Sequence, residues 1–291
     1  MELLKFLESK DKKVIKFLQR TKDNHIIETG YYNLDEHIIC ISSQIGCSMG
    51  CIFCATTKPI NSLNSEQSFF RNLTSEEIIQ QVNNILFFLQ KKNKLGTKKI
   101  LFSYMGMGEP FLNYDNVVKS IKTLVKLFPN SRTTVSSLGN WSDLIKKLAH
   151  EKISTVLKLH LSLHAPNDEL RRKILPKTQK IQPALEALKY FSLAKKLSMK
   201  VNYLLIKDLN DSRENALQLV ELLSPYPFVV KLSNLNNFNN ELESSNENKF
   251  ILFEKILNSR GIKTCRFISS GIDINAGCGQ LRASYYNKNN I

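Results

Sequence analysis

From about residue 98 to residue 269, short β-branched runs alternate with segments of helical period, and that alternation limits the fold more than any other feature. KKILFSYM at 98–105, RTTVSS at 132–137, TVLKLHLSL at 155–163, KVNYLLI at 200–206, FVVKLSN at 228–234 and KTCRFIS at 263–269 read as strands. Helices are expected between them, near 116–127, 141–150, 182–197, 212–223 and 248–259, with Asp or Ser capping the one in DSRENALQLVELL. Such a repeat implies parallel strands joined by crossovers. Either an open doubly wound sheet or a full or partial β/α barrel satisfies the order. No GxGxxG follows an early strand, which disfavours a dinucleotide site of the doubly wound kind. GMGEP, SSLGN, SLHAPND and NLNNF all fall where strands end and loops begin, the rim on which barrels gather functional groups. The barrel is the expected architecture.

Upstream, HIIETGYYNLDEHIICISS reads as two short strands around an Asn/Asp turn, a hairpin leading into a cysteine loop. The opening segment, MELLKFLESKDKKVIKFLQR, is expected to form one amphipathic helix packed against the barrel. This divides the chain into an extension over 1–39 and a core over 40–291, with an Asn/Ser-rich mobile loop expected at 234–248. No secretory signal opens the chain, and no run approaches the roughly 20 apolar residues of a membrane span. A cytoplasmic location without membrane contact is expected, a reducing setting in which clustered cysteines favour metal or catalysis over disulfides. The net charge of +15 calls for a polyanion such as nucleic acid. Compositional drift toward Lys, Asn and Ile would also produce that charge, so it does not settle the partner.

CSMGCIFC places Cys47, Cys51 and Cys54 within eight positions. A zinc clasp ordinarily takes four Cys or His ligands, often as two C-x₂₋₄-C pairs. Here there are three thiols, and no histidine is close in sequence: His37 precedes the loop and His150, His160 and His164 belong to later elements. Three thiolates can hold three irons of a 4Fe–4S cluster and leave the fourth iron open for a small molecule. Phe53 can shield such a cluster.

C-x₃-C-x-Φ-C followed by GMGEP resembles the radical S-adenosylmethionine (SAM) enzymes. The further motifs CISSQIGC, RNLTSEEIIQQV, YMGMGEPFLN, SLHAPNDELRRKILP and DINAGCGQL, in one order from Glu28 to Leu281, resemble the RlmN/Cfr family of RNA adenine methyltransferases. The resemblance implies a partial (β/α)₆-type barrel, α/β in class, carrying the N-terminal helix and hairpin, with a 4Fe–4S cluster on Cys47, Cys51 and Cys54. It implies SAM contacts at Gly108, Glu109, Ser136, Ser162, Leu163, His164 and Asn236, with two SAM consumed per turnover. Adenine C2 and C8 lack a nucleophilic lone pair, and the family's detour answers that difficulty: Cys278 carries the methyl group as S-methylcysteine. Glu28 would then remove the ring proton, and Cys40 would release the product by forming a Cys40–Cys278 disulfide. Taken alone, Cys40 is an ordinary small buried residue at a strand end, and Glu28 a strand carboxylate. Cys265 has no role in the family and is read as core.

The resemblance further implies methylation of adenine C2, with C8 as the alternative, in 23S rRNA first and tRNA second. A flavodoxin or ferredoxin would donate electrons, and a monomer is expected. Three departures bear on the substrate. Only 46 residues precede Cys47, fewer than the family's N-terminal RNA-binding domain occupies. KPINSLNSEQS is inserted after the cysteine loop, and Asn202 stands where many members carry an acid. A radical SAM enzyme with a non-RNA substrate is the rival these departures favour.

Overall fold

The structure is a computed structural model that describes residues 1–57, 71–236, 242–267 and 270–289. Four strands open the chain: β1 (Glu2–Glu8), β2 (Val14–Arg20), β3 (Ile26–Asn33) and β4 (His37–Cys40), each antiparallel to the next. After the cysteine loop, flanked by the two-residue strands β5 (Gln44–Ile45) and β6 (Arg71–Asn72), comes helix α1 (Ser75–Lys91). Strand and helix then alternate: β7 (Ile100–Tyr104), α2 (Tyr114–Leu127), β8 (Arg132–Ser137), α3 (Ser142–His150) and β9 (Val156–Ser162). Helices α4 (Asp168–Ile174) and α5 (Ile181–Lys195) lead to β10 (Lys200–Leu205), α6 (Arg213–Leu223), β11 (Val229–Asn234), α7 (Glu247–Ser259) and β12 (Thr264–Phe267). Helix α8 (Gln280–Asn289) closes the described chain.

One ten-stranded sheet runs in the order β1-β2-β3-β4-β7-β8-β9-β10-β11-β12, parallel from β4 onward. Six βα units followed by a seventh strand, without closure between the first and last strands, make the partial barrel expected from the sequence. The core lies between the helices and the outer face of the sheet, where Phe102, Val135, Leu159, Val201 and Leu232 are buried. Capping is local and legible: Ser212 accepts from the Asn215 N–H at the start of α6, and Thr74 and Glu77 form a reciprocal capping box on α1.

The N-terminal helix is corrected: the first twenty residues are the hairpin β1–β2. Its turn passes through Lys12 at φ 58°. The misreading has a physical source. Residues 14–19 of β2 are buried on both faces, so apolar residues are not confined to alternate positions and mimic a helical stripe. Ile15 and Phe17 enter the main core. Leu18 packs with Leu281 and Tyr286, and Val14 with Ile274 and Ala276, all in the C-terminal segment. The boundary at 39/40 falls inside β4, which pairs with β3 on one side and with β7 on the other. Cys265 is half-buried instead of core, because β12 is the sheet's last strand.

Part of the expected loop at 234–248, namely 237–241, lies outside the described residues, as does the inserted KPINSLNSEQS segment. Asn246 already caps α7. Among the described residues no helix is long and apolar enough to cross a membrane.

Candidate active site

Side chains on a strand alternate between faces, and directly paired residues share one. The parallel registers therefore keep one inward face across the sheet, with its residues in successive rows. Cys40 pairs with Ser103, Ser136 with His160, and Asn202 with both Ser162 and Lys231. This polar interior opens into a cavity of about 290 Å³. Cys47, Cys51, Cys54, Gly108, Glu109, Ser136, Ser162, His164, Asn236 and Cys278 all line it. Glu28, Cys40 and Leu163 are not part of that wall.

The cysteine loop is held by its own backbone. The Cys54 N–H donates to the Cys51 carbonyl at 3.1 Å, and Thr57 Oγ1 donates to the same carbonyl at 3.0 Å. Met49, Leu138, Leu175 and Ile206 pack around it. Burial pushes the Cys47 thiol up to about 12 and Cys51 still higher. As free thiols both stay protonated, and a metal that replaces those protons supplies the missing charge. Among the described residues no three His, Cys, Asp or Glu side chains gather as a single-ion site. The three soft donors instead share a cavity wall, a donor set that fits a cluster of several irons.

Glu109 follows β7 at the mouth of that wall. Its Oε1 accepts from the Phe111 N–H at 3.2 Å and its Oε2 from the Leu138 N–H at 3.1 Å. Burial outweighs these donors and raises the carboxyl to about 7. Gly108 is required by its surroundings: φ is +96°, and an added Cβ would lie 2.6 Å from the Gln44 side chain. Gln44 Oε1 in turn accepts from the Glu109 N–H at 2.9 Å. On the opposite wall His164 Nδ1 accepts from the Leu204 N–H at 3.0 Å, which leaves the ring proton on Nε2. Burial, aided by Arg171 and Lys231, lowers His164 to about 3, so the ring is neutral. It meets Phe53 edge-on at 5.1 Å. Asn202 donates to Ser136 Oγ at 3.2 Å, while its buried Oδ1 has no partner among the described residues.

Cys278 enters from the loop before α8. Its Sγ lies 3.5 Å from Thr56 Oγ1, and a hydrogen bond to Cys54, with burial, holds its thiol well above the ordinary range. Gly279 makes the approach possible, because a Cβ there would lie 2.4 Å from the Thr56 nitrogen. Glu28 fastens that loop and the first turn of α8: Oε1 accepts from the Gly279 N–H at 2.6 Å, and Oε2 from the Arg282 N–H at 3.1 Å. All six cysteines are free thiols.

Residues 41–220, more than half of the chain, match the radical SAM superfamily. Fold and cavity thus define a radical SAM enzyme, whose cofactors are the superfamily's 4Fe–4S cluster and SAM. The chain is 39% identical, over 95% of its length, to the dual-specificity RNA methyltransferase RlmN of Wigglesworthia glossinidia brevipalpis, covering 72% of that protein. With the enzyme of the same name from Nautilia profundicola it shares 36% identity over 94% of its length, covering 78% of that protein. The crystal structure of a radical SAM methyltransferase from Sphaerobacter thermophilus superposes with a TM-score of 0.85 at 34% identity, over 97% of this chain and 81% of the other. The chain belongs to the RlmN family.

Two positioning residues escaped sequence reasoning. Arg171, 1% exposed, donates to the carbonyls of Leu163 (3.3 Å), Gln179 (2.9 Å), Ser162 (3.2 Å) and Leu138 (2.5 Å), and so fixes the ends of β8 and β9. Nothing in DELRRKILP separates it from Arg172. Lys16, at 3% exposure, bonds Glu28 Oε1 at 2.8 Å. Its signal was a lone lysine inside the apolar run VIKFL.

Proposed function

We propose that this enzyme methylates C2 of adenine in 23S rRNA, and in tRNA, by a relay between Cys278 and Cys40. The observation that carries the reading is that Cys278 shares one cavity wall with Cys47, Cys51, Cys54 and Glu109. Its relatives' naming as dual-specificity RNA methyltransferases supports an RNA substrate, and the net charge of +15 suits a phosphate backbone. The target base is splayed from its stack to enter the cavity.

In this reading Cys47, Cys51 and Cys54 hold the cluster. Glu109 accepts from the SAM ammonium, and Gly108, Ser136, Ser162, Leu163, His164 and Asn236 complete the SAM site. When bound, these groups supply one electron, the methyl group and a hydrogen-abstracting organic radical. Cys278 carries the methyl as a thioether, loses one hydrogen from it, and joins the adenine ring through the resulting methylene carbon. The adduct passes one electron to a one-electron acceptor, which the cluster held by Cys47, Cys51 and Cys54 would supply, and Glu28 takes the ring proton. Two of the hydrogen bonds that occupy Glu28 come from the Cys278 loop, at Gly279, and from the first turn of α8, at Arg282, so displacement of that loop together with the helix start frees the carboxylate. The Cys40 thiolate then attacks the Cys278 sulfur. The S–S bond forms, the C–S bond breaks, and the electron pair leaves on the methylene carbon, which gains a proton to become the methyl product. An external dithiol reduces the disulfide, and a donor of the flavodoxin or ferredoxin class serves the cluster of a cytoplasmic monomer.

Mass spectrometry of adenosines from separated 23S rRNA and tRNA, with and without the gene, tests this. Loss of 2-methyladenosine from rRNA is expected; unchanged 2-methyladenosine in both RNA classes overturns the assignment.

A further inference from the structure

The antiparallel extension carries a cross-strand row that reaches the relay from one side. Lys16 on β2 pairs with Gly30 on β3, and Gly30 pairs with Cys40 on β4. Paired residues share a face, so the Lys16 and Cys40 side chains stand two strands apart on one side of the sheet. Gly30 between them has no side chain to separate them; a Cβ there would already lie 3.4 Å from that of Cys40. Two positions along β3 on either side of Gly30, Glu28 and Tyr32 complete the face. Above it lies the C-terminal loop, with Tyr32 Oη 3.5 Å from the Ala276 carbonyl and Glu28 bonded to the Gly279 N–H.

A lysine this deeply buried needs a strong reason to keep its charge. Burial is the largest influence and opposes the ammonium, yet Glu28 at 2.8 Å, Tyr32 and Cys40 together outweigh it and hold Lys16 above the ordinary lysine range. The groups that face Cys40 are Lys16 from β2, Glu28 and Tyr32 from β3, and Cys278 from the C-terminal loop. Burial pushes the Cys40 thiol up to about 12; of these groups only Lys16 pulls it back down. A thiol left at that value is a poor nucleophile near neutral pH, because the thiolate is the reactive form.

We propose that Lys16 is a positioning residue of the releasing step: its ammonium, anchored by Glu28, stabilises the Cys40 thiolate that attacks the Cys278 sulfur. This rests on Cys40 and Cys278 being the relay pair. Cys40 loses its proton and attacks as the thiolate, one proton is taken up by the departing methylene carbon, and Lys16 keeps its own throughout. The same lysine neutralises Glu28 until the loop above it moves, so one buried cation serves the base and the thiol.

The test uses the full chain with its cluster and compares Lys16→Met, Lys16→Gln and Lys16→Arg with the parent. Alkylation of Cys40 by iodoacetamide is followed against pH by peptide mass spectrometry. Removing one opposite charge that faces a thiol shifts it by about one unit, so Lys16→Met is expected to slow Cys40 labelling ~10-fold at pH 8. Lys16→Arg is expected to restore the parent profile. Lys16→Gln retains a hydrogen bond to Glu28 and carries the same readout should Lys16→Met fail to fold. In turnover with RNA, the neutral variants are expected to accumulate the covalent RNA–protein adduct, as Cys40→Ala should. Labelling of Cys40 at the parent rate in Lys16→Gln overturns the proposal, as does an adduct in Cys40→Ala that is absent from the neutral variants. No adduct in Cys40→Ala itself brings down the relay reading, a failure distinct from that of Lys16.

Discussion

Two sets of buried groups, Glu109, His160 and His164 in the parallel half of the sheet and Lys16 with Glu28 in the antiparallel half, are treated in opposite ways. In the first set burial works against charge: it raises Glu109 to about 7 and lowers His160 and His164 to about 3. In the antiparallel half, Lys16 is paired with Glu28 at 2.8 Å and held above the ordinary lysine range, with Glu28 accepting two further backbone bonds. Near-neutral groups such as Glu109 and His164 on a cavity wall suit charges brought by ligands, the cationic sulfonium amino acid and the anionic cluster of the proposed site. A paired site brings its own charges and has no need of the ligand to be complete. The cavity wall therefore reads as a receptor and the extension as built-in machinery, and Cys278 lies on the seam between them.

That seam gives the largest expected effect. Cys278→Ala should abolish RNA methylation while SAM cleavage persists, checked by scoring methylated adenosine and cleaved SAM in one anaerobic assay. Retained methylation would place the relay elsewhere and dissolve the contrast. Next comes Glu28→Ala, which strands Lys16 without its partner; stability should fall by roughly 3–5 kcal/mol in denaturant unfolding, the range for breaking a buried ion pair from one side.

Periodicity explains why some of this was readable from the sequence and some was not. The strands from β7 to β12 were legible because each is a short β-branched run bounded by turns, and Arg132–Ser137 matched the expected range. Strand β2 was not, because burial on both faces erased its alternation. The cysteine loop stood out through local spacing, whereas Glu109 was reached only through the family resemblance of GMGEP. Lys16 and Arg171 were not legible: one acts through register across three strands and shows only as a lone lysine in VIKFL, the other through carbonyls as far as 33 positions away. Leu163 was carried over from the family, yet its side chain is fully buried, and its backbone N–H meets the Asn202 carbonyl at 3.1 Å.

The neutralised half should announce itself in acid. His160 is buried beside Lys231, Lys200 and Lys158, and burial first, then those charges, lowers it to about 3. Unfolded, it titrates near 6.5, so between those values the unfolded chain binds one more proton than the native one. Stability attributable to His160 is therefore whole above about 6.5 and lost as pH falls toward 3, at about 1.4 kcal/mol per pH unit. Between pH 6.5 and pH 5 this comes to ~2 kcal/mol, and His160→Gln should remove that part of the slope. Urea unfolding of both proteins at the two pH values checks it; identical slopes would mean that the ring is charged in the fold.

The smallest effect isolates the contrast at a single carboxylate. Glu109→Gln keeps the shape of a group that accepts two backbone N–H bonds but presents an amide NH₂ to one of them. One mismatched hydrogen bond should cost about 1–2 kcal/mol, less than Glu28→Ala, because no buried partner charge is left behind. Binding should suffer more than folding. Above pH 7 the parent offers a carboxylate to the SAM ammonium and the variant only a neutral amide, so SAM affinity, measured by equilibrium dialysis at pH 8, should drop ~10-fold or more. If Glu109→Gln instead destabilised the fold as much as Glu28→Ala while binding SAM normally, the carboxylate would be a structural charge like Glu28, and the cavity wall would lose its claim to be waiting for a cation.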